Sequence, residues 1–404
     1  MTARIVLDIS RLLSRADCAA PTGIDRVEMA YAKQLIASRP DQLSFAAMSK
    51  WGLFGPLPQG LSTAFVQALD ASWRGEPMLG TGTSALAQRL QARLLYPGAR
   101  TLRARLQQGT TPAIYLLVSH HHLDRTGLIG RLKAAPNLRF VCLVHDLIPI
   151  ELPEYARPGQ TRRHHQRLRT VSQWADGVIV NSDSTGSALS NHLQGEVSPP
   201  ILVAPLGAEP LAFPSAADGE APRHPYFVVL STIEPKKNHL LLLHLWRRMA
   251  SKYGEHAPRL VLIGQRGWMN QNIVDMLERS PAIRRLVDEH NNLADAAVGP
   301  LLRGARALLH PSFAEGYGLP VAEALSLGVP VICSDLPALR AAGQDAPEYL
   351  DPLDGPAWEA AIMDYTSPTS VRRTTQLARL ARYAPPGWPD HFSRVMPFLD
   401  QIAR

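Results

Sequence analysis

A chain of 404 residues with 46% hydrophobic and 19% charged side chains is long enough for two or three domains with their own cores, and this composition excludes a disordered, collagenous or coiled-coil protein. No apolar run approaches the ~18 residues of a membrane span, and the opening MTARIVLDIS lacks the apolar region of a secretory signal, so a cytoplasmic location is expected. Up to residue 205 there are 22 Lys and Arg against 14 Asp and Glu, a net of +8, and beyond it 20 against 21, a net of −1; the first half is expected to meet something anionic, whether nucleic acid, a phosphorylated acceptor or an acidic membrane.

In chain order, short β-branched runs predict strands at Arg4–Ile9, Ala113–Ser119, Arg139–His145, Gly177–Asn181 and Ile201–Ala204, then at Tyr226–Ser231, Arg259–Gly264, Ala307–His310 and Pro330–Ser334. Helical patterns lie between them, the alternation of a parallel α/β sheet. Residues Trp51–Thr111 mix Gly and Pro turns with an arginine-rich helical segment, Ala85–Gln108, and read as a variable insertion. The Pro, Ala and Gly-rich stretch Ala208–Pro225 reads as a linker. The expected organisation is a first doubly wound domain over residues 1–207, a linker over 208–225, a second domain over 226–387, and a C-terminal helix over 388–404 returning to the first. Cys18, Cys142 and Cys333 are too scattered for a disulfide framework or a Cys-x-x-Cys metal site.

In doubly wound sheets, ligands bind beyond the carboxyl ends of the strands. After the strand ending at His310 comes a glycine-bearing loop, Glu315-Gly316-Tyr317-Gly318, with Pro320 where a helix can begin. Bare N–H groups and the positive end of a helix dipole favour phosphate or hydroxyl oxygens there. Glu323 falls one turn into that helix, so two carboxylates, suited to hydrogen bonds from sugar diols, flank one helix start. After the strand ending at Ser231 comes Glu234-Pro235-Lys236-Lys237-Asn238, where Lys237, with Lys236 as helper, can neutralise charge on a departing phosphate. His120-His121-His122 follows another strand; three adjacent histidines diverge, unlike the spacing of a helical zinc site, and a loop lining an acceptor site is preferred to a metal centre.

These segments resemble the retaining glycosyltransferases of family 4. The Glu315 to Glu323 spacing matches that family's paired glutamates, and its Glu-Gly-Phe-Gly reads Glu-Gly-Tyr-Gly here. The likeness continues through Gly328–Val331, Asp351-Pro352, Thr22–Arg26, His145–Pro149, Asn181-Ser182 and Pro205–Gly207. It implies an α/β fold of the GT-B type, two facing Rossmann-like domains with a cleft between them, and transfer from a nucleoside diphosphate sugar with retention at the anomeric carbon. It further implies Glu315, Lys237 and His145 as catalytic residues. Glu323 would hold the donor ribose, and Gly316, Tyr317, Gly318, Leu319, Lys236, Thr232 and Gly23 would be donor contacts. No metal or other cofactor is expected, and the chain has no Asp-x-Asp triplet. The form Thr232-Ile233-Glu234-Pro235-Lys236-Lys237-Asn238 is similar to the branch of bacterial O-antigen mannosyltransferases, which favours GDP-mannose. Ser231-Thr232-Ile233 stands where many members have Gly-Arg-Leu, and Asp25 stands where a small residue is commoner, with consequences for the second phosphate contact and for donor access.

The expected acceptor is a glycan or a lipid-linked glycan in surface polysaccharide synthesis. The basic segments Arg157–Arg169 and Ala85–Gln108 are suited to peripheral contact with anionic lipid; no nucleic-acid module is recognisable. Two other functions stay open at this level: a nucleotide-sugar epimerase of the same fold, and a non-catalytic nucleotide-binding subunit.

Overall fold

The structure, a computed structural model, describes residues 3–49, 51–76, 81–95, 112–193, 198–209 and 224–404. Packing divides the chain into two units. Met1–Pro153, Pro158–Leu206 and Trp388–Arg404 form the first, and Glu154–Arg157 with Gly207–Gly387 the second.

Among the described residues, the first unit is built on a seven-stranded sheet. Its strands are β1 (Arg4–Asp8), β2 (Leu43–Met48), β3 (Phe54–Leu57), β4 (Ala113–Leu117), β5 (Leu138–Val144), β6 (Gly177–Val180) and β7 (Ile201–Val203), in the order β3-β2-β1-β4-β5-β6-β7. All neighbours are parallel except β2 and β3. Strands such as β4 are buried along their whole length, as helices on both faces of a parallel sheet require.

The expected insertion at Trp51–Thr111 is corrected for its first part, because Phe54–Leu57 is the edge strand of the main sheet. Its sequence, FGPL, hides a strand behind Gly and Pro, which only an edge position tolerates. The helices Gln59–Arg74 and Thr83–Arg93 follow. Trp73 Nε1 donates to the Cys18 carbonyl at 2.9 Å and Thr83 Oγ1 to the Ala16 carbonyl at 2.8 Å, tying both helices to the loop after β1. The rest of Ala85–Gln108 beyond residue 95, with Arg100, Arg103 and Arg105, lies outside the described residues, as do residues 210–223 of the expected linker.

The helix Trp388–Ile402 packs with the first unit. The His391 ring meets Tyr31 Oη at 2.8 Å and the Pro205 carbonyl at 3.0 Å, and Arg39 grips Asp400 through two bonds of 2.8 and 2.7 Å. Among the described residues, no helix is long and apolar enough to cross a membrane.

The second unit holds β8 (Tyr226–Leu230), β9 (Arg259–Ile263), β10 (Val287–His290), β11 (Leu308–His310), β12 (Val331–Ser334) and β13 (Glu348–Leu350). All are parallel, in the order β10-β9-β8-β11-β12-β13. One face packs Phe227, Val229, Leu260 and Leu262 against Trp246, Trp358 and Tyr365, and the other packs Val228, Val261 and Leu308 against Val321 and Leu325. The chain reverses its direction of winding between β8 and β11, so the loops after these strands leave the sheet on opposite faces and open a crevice at its carboxyl edge. The corresponding switch point in the first unit lies between β1 and β4.

Candidate functional site

In the second unit both loops at the switch point carry predicted site residues. After β8 the chain runs to a short turn at Pro235–Lys237, and Asn238, in the left-handed region at φ 55°, turns it into the helix His239–Tyr253. After β11 the loop ends at Gly318, with φ 101°, which starts the helix Leu319–Ser326. A Cβ at Gly318 would sit 2.4 Å from Leu339 Cδ2, so both conformation and space require glycine here. The Phe313 N–H donates to the Lys236 carbonyl at 2.8 Å and joins the two loops.

The centre of this site is Glu315. Its Oε1 lies 2.5 Å from Lys237 Nζ and 2.7 Å from both His310 Nε2 and Ser312 Oγ. Burial works against the charged carboxylate, but the charges of Lys237 and His310 and the hydrogen bond from His310 outweigh it and hold the group well below the usual carboxylate range. The site therefore presents an ionised acid and a lysine held against it by charge. Beside it, Lys236 Nζ is 3.4 Å from Glu234 Oε1. Burial raises the Glu234 carboxyl, while Lys236 and Lys237 pull it down.

Glu323 is buried within its helix, with Leu319 and Tyr317 also buried and Gly316 partly exposed. Thr232 is half-buried in the β8 loop, where a Cβ at Gly267 would meet its methyl at 2.8 Å. The β8 and β9 loops interlock there: the Ile233 N–H donates to the Gln265 carbonyl at 2.9 Å and the Gly267 N–H to the Ile233 carbonyl at 3.0 Å.

The remaining predicted residues, Gly23 and His145, belong to the first unit. Gly23 is the first residue of the helix Gly23–Ser38, which Thr22 and Asp25 cap reciprocally. Asp25 is fully buried and serves the fold: it accepts from the Thr22 N–H at 2.7 Å and pairs with Arg11 at 2.5 Å and Arg15 at 3.0 Å.

His145 follows β5, with Nε2 2.8 Å from the Val118 carbonyl. A carbonyl only accepts, so Nε2 carries the proton. Burial lowers the ring's pKa to about 4, against the opposing pull of the Val118 carbonyl and Asp146, and the imidazole is neutral at pH 7. The His145 backbone N–H donates to His120 Nε2 at 3.2 Å, and Asn181 Nδ2 donates to the His145 carbonyl at 2.9 Å.

One expectation in this unit is corrected. His120 and His122 do not line an open loop. His120 is buried between the rings of His145 and His164, and His122 is fully buried with Nε2 2.7 Å from Tyr115 Oη, which itself donates to Asp8 Oδ2 at 2.7 Å. The turn after β4 folds both rings inward, and burial holds the His120 ring well below its ordinary pKa. The arginines of the Arg157–Arg169 run have different surroundings. Arg163 pairs with Asp124 at 2.9 Å and Arg167 contacts His164 at 3.0 Å, while Arg162, His165 and Arg169 are exposed along a groove of about 730 Å³. No cluster of three or more His, Cys, Asp or Glu able to hold a metal ion occurs among the described residues.

Sequence reasoning passed over His310, Ser312 and Glu234 as site residues. The available signal was position: His310 ends β11, and Ser312 and Glu234 sit in the same strand-end loops as the lysines and Glu315.

Two units, each built on a doubly wound sheet that is parallel but for the edge strand β3 of the first, with an acid, lysines and a glycine-started helix at the carboxyl edge of the second, have the architecture of the GT-B fold. The HepE protein (Alr3699) of Anabaena, solved with UDP, superposes with a TM-score of 0.64 over 99% of this chain and 100% of that one at 14% identity. Residues 224–365, within the second unit, match the family described as glycosyl transferases group 1. The serotype-specific mannosyltransferase WbdA of Escherichia coli is 28% identical over 260 residues, covering 58% of this chain and 30% of that protein. O-antigen chain mannosyltransferase B of Escherichia coli is 28% identical over 260 residues, covering 62% and 67%. The match thus spans less than a third of WbdA.

Proposed function

We propose that this protein transfers a sugar, mannose in the first instance, from a nucleoside diphosphate sugar to a hydroxyl of a glycan or lipid-linked glycan in bacterial surface polysaccharide synthesis. The observation that carries the reading is the Lys237–Glu315 pair at the switch point, beside the helix start at Gly318, within a group 1 glycosyl transferase domain. Both named relatives are mannosyltransferases, which makes GDP-mannose the first donor to test.

In this reading Lys237, with Lys236, and the N–H groups of Gly316–Leu319 stabilise the departing diphosphate, where most negative charge develops. Glu323 holds the ribose and Glu315 the transferred sugar. Thr232 and Gly23 border the diphosphate, and neutral His145 contacts the sugar by its free ring nitrogen. Retention follows if the leaving phosphate oxygen takes the acceptor's proton on the face it departs from, so no protein nucleophile and no metal ion is invoked.

The test compares thermal stabilisation by GDP, UDP and ADP. A preferred nucleotide at 100 times its Kd raises stability by about 2.7 kcal/mol. Transfer from the matching sugar nucleotide is then followed by anomeric NMR. No stabilisation by any of the three, or an inverted product, overturns the proposal.

A further inference from the structure

Glu154–Arg157 is bracketed in sequence by residues of the first unit, yet it packs with the second. Two side chains account for this. The Tyr155 ring stacks on Phe313, with centroids 5.5 Å apart and planes 8° from parallel. The Arg157 guanidinium lies 4.3 Å from the centroid of Trp268, inside the range of a cation–π contact.

Phe313 and Trp268 stand on different loops, after β11 and β9, and the β8 loop lies between. The hydrogen bonds of Ile233 with Gln265 and Gly267, and of Phe313 with Lys236, make the three loops one connected body. The tetrapeptide grips that body at its two ends. Phe313 is two residues from Glu315, and the polar contacts that hold its loop include Ser312 and Lys237 on Glu315 and the Phe313 N–H on Lys236.

From this arrangement we propose that Tyr155, assisted by Arg157, is a positioning residue for donor binding. The inference rests on the reading of the Lys237–Glu315 loops as a nucleoside diphosphate sugar site. A diphosphate arriving at Lys237 draws the lysine from Glu315 and removes one anchor of the β11 loop. The Tyr155–Phe313 stack does not depend on charge and keeps the loop, with its N–H groups at Gly316–Gly318, in the binding geometry during that exchange. Tyr155 touches neither Glu315 nor Lys237 in the contacts described and acts through Phe313.

The test measures binding of GDP and UDP to the full chain by calorimetry, with Tyr155→Leu, Tyr155→Phe and Phe313→Leu. A stack of this kind corresponds to a loss of about three- to tenfold in affinity. Tyr155→Leu and Phe313→Leu should each show it, and the double variant should lose no more than either alone. Tyr155→Phe, which keeps the ring, should bind as the wild type does. Wild-type affinity in Tyr155→Leu, or a loss in Tyr155→Phe equal to that in Tyr155→Leu, overturns the proposal. Phe313→Leu tests the same contact from its other side should Tyr155→Leu fold poorly. If the wild type itself binds neither nucleotide, the donor site and the positioning role fall together, an outcome distinct from loss of the stack alone.

Discussion

Replacing Lys237 by Met asks how much of the second unit's stability rests on the pair at its centre. The two side chains are 13% and 8% exposed, with the charged atoms 2.5 Å apart. Removing one partner of a buried pair costs ~3–5 kcal/mol, because the other charge is stranded. His310 Nε2 and Ser312 Oγ still reach Glu315 Oε1, so the low end, about 3 kcal/mol, is expected. For a unit the size of Gly207–Gly387, each kcal/mol shifts the midpoint by roughly 2–4 °C, which places Lys237→Met about 6–12 °C below the wild type. The assay is calorimetric melting without nucleotide of the wild type, Lys237→Met, Glu315→Gln and the double variant. Coupled residues give a cycle energy of ~0.5–3 kcal/mol, so the double variant should be more stable than the two single losses summed. The acid limb supplies a second check. Glu315 is held below its ordinary value, so its contribution is complete above the unfolded carboxylate pKa of ~4.3 and is lost as pH falls through the folded value. The gap between wild type and Glu315→Gln should therefore begin to close below about pH 4.3. A Lys237→Met midpoint within ~2 °C of wild type, or an additive cycle, would refute the argument.

Three further outcomes are expected. Glu28 is fully buried, and burial followed by the nearby Asp8 charge raises its pKa from 4.5 to about 8, against smaller opposing effects of Ser119, the Leu12 N–H and Arg11. The folded state then holds a proton that the unfolded state has released between those values, so stability should fall with rising pH across that window by up to ~1.4 kcal/mol per unit. Glu28→Gln should remove that slope, and parallel stability curves for the two proteins from pH 5.5 to 8.5 would contradict it. Gly318→Ala forces φ 101° and the 2.4 Å approach to Leu339 on a residue with a Cβ, so a loss of ~1–3 kcal/mol is expected, together with weaker nucleotide binding; an unchanged melt would count against the tight turn. Transfer measured in excess EDTA should stay within about twofold of the untreated rate if lysines and N–H groups meet the diphosphate charge; a larger loss restored by a divalent ion would argue for metal assistance.

Much of the scaffold was readable because its signals are local. Strands buried on both faces, such as AIYLL in β4, must be continuously apolar, and Gly318 starts its helix from a left-handed conformation that favours glycine. The strands that escaped notice lack that signature: β2 reads LSFAAM, β3 reads FGPL, β10 reads VDEH and β13 reads EYL, the last three at sheet edges. At a sheet's edge, pairing with a neighbour can make a strand from residues whose own preference is weak.

The sequence by itself determined the α/β class, the division into two units and the segments in which a donor site should be sought. Only the tertiary structure decided which side chains meet. Lys237 and Glu315 are 78 residues apart and touch because β8 and β11 are sheet neighbours. His310 and Ser312 join them because the β11 loop turns back on itself. Packing also turned His120 and His122 into the core, committed Asp25 to a helix cap, and divided the arginines of Arg157–Arg169 among ion pairs, a tryptophan face and solvent. Periodicity reports whether a position faces a core, whereas partner identity depends on which non-consecutive strands lie side by side, and that is settled by burial and hydrogen bonding across the whole unit.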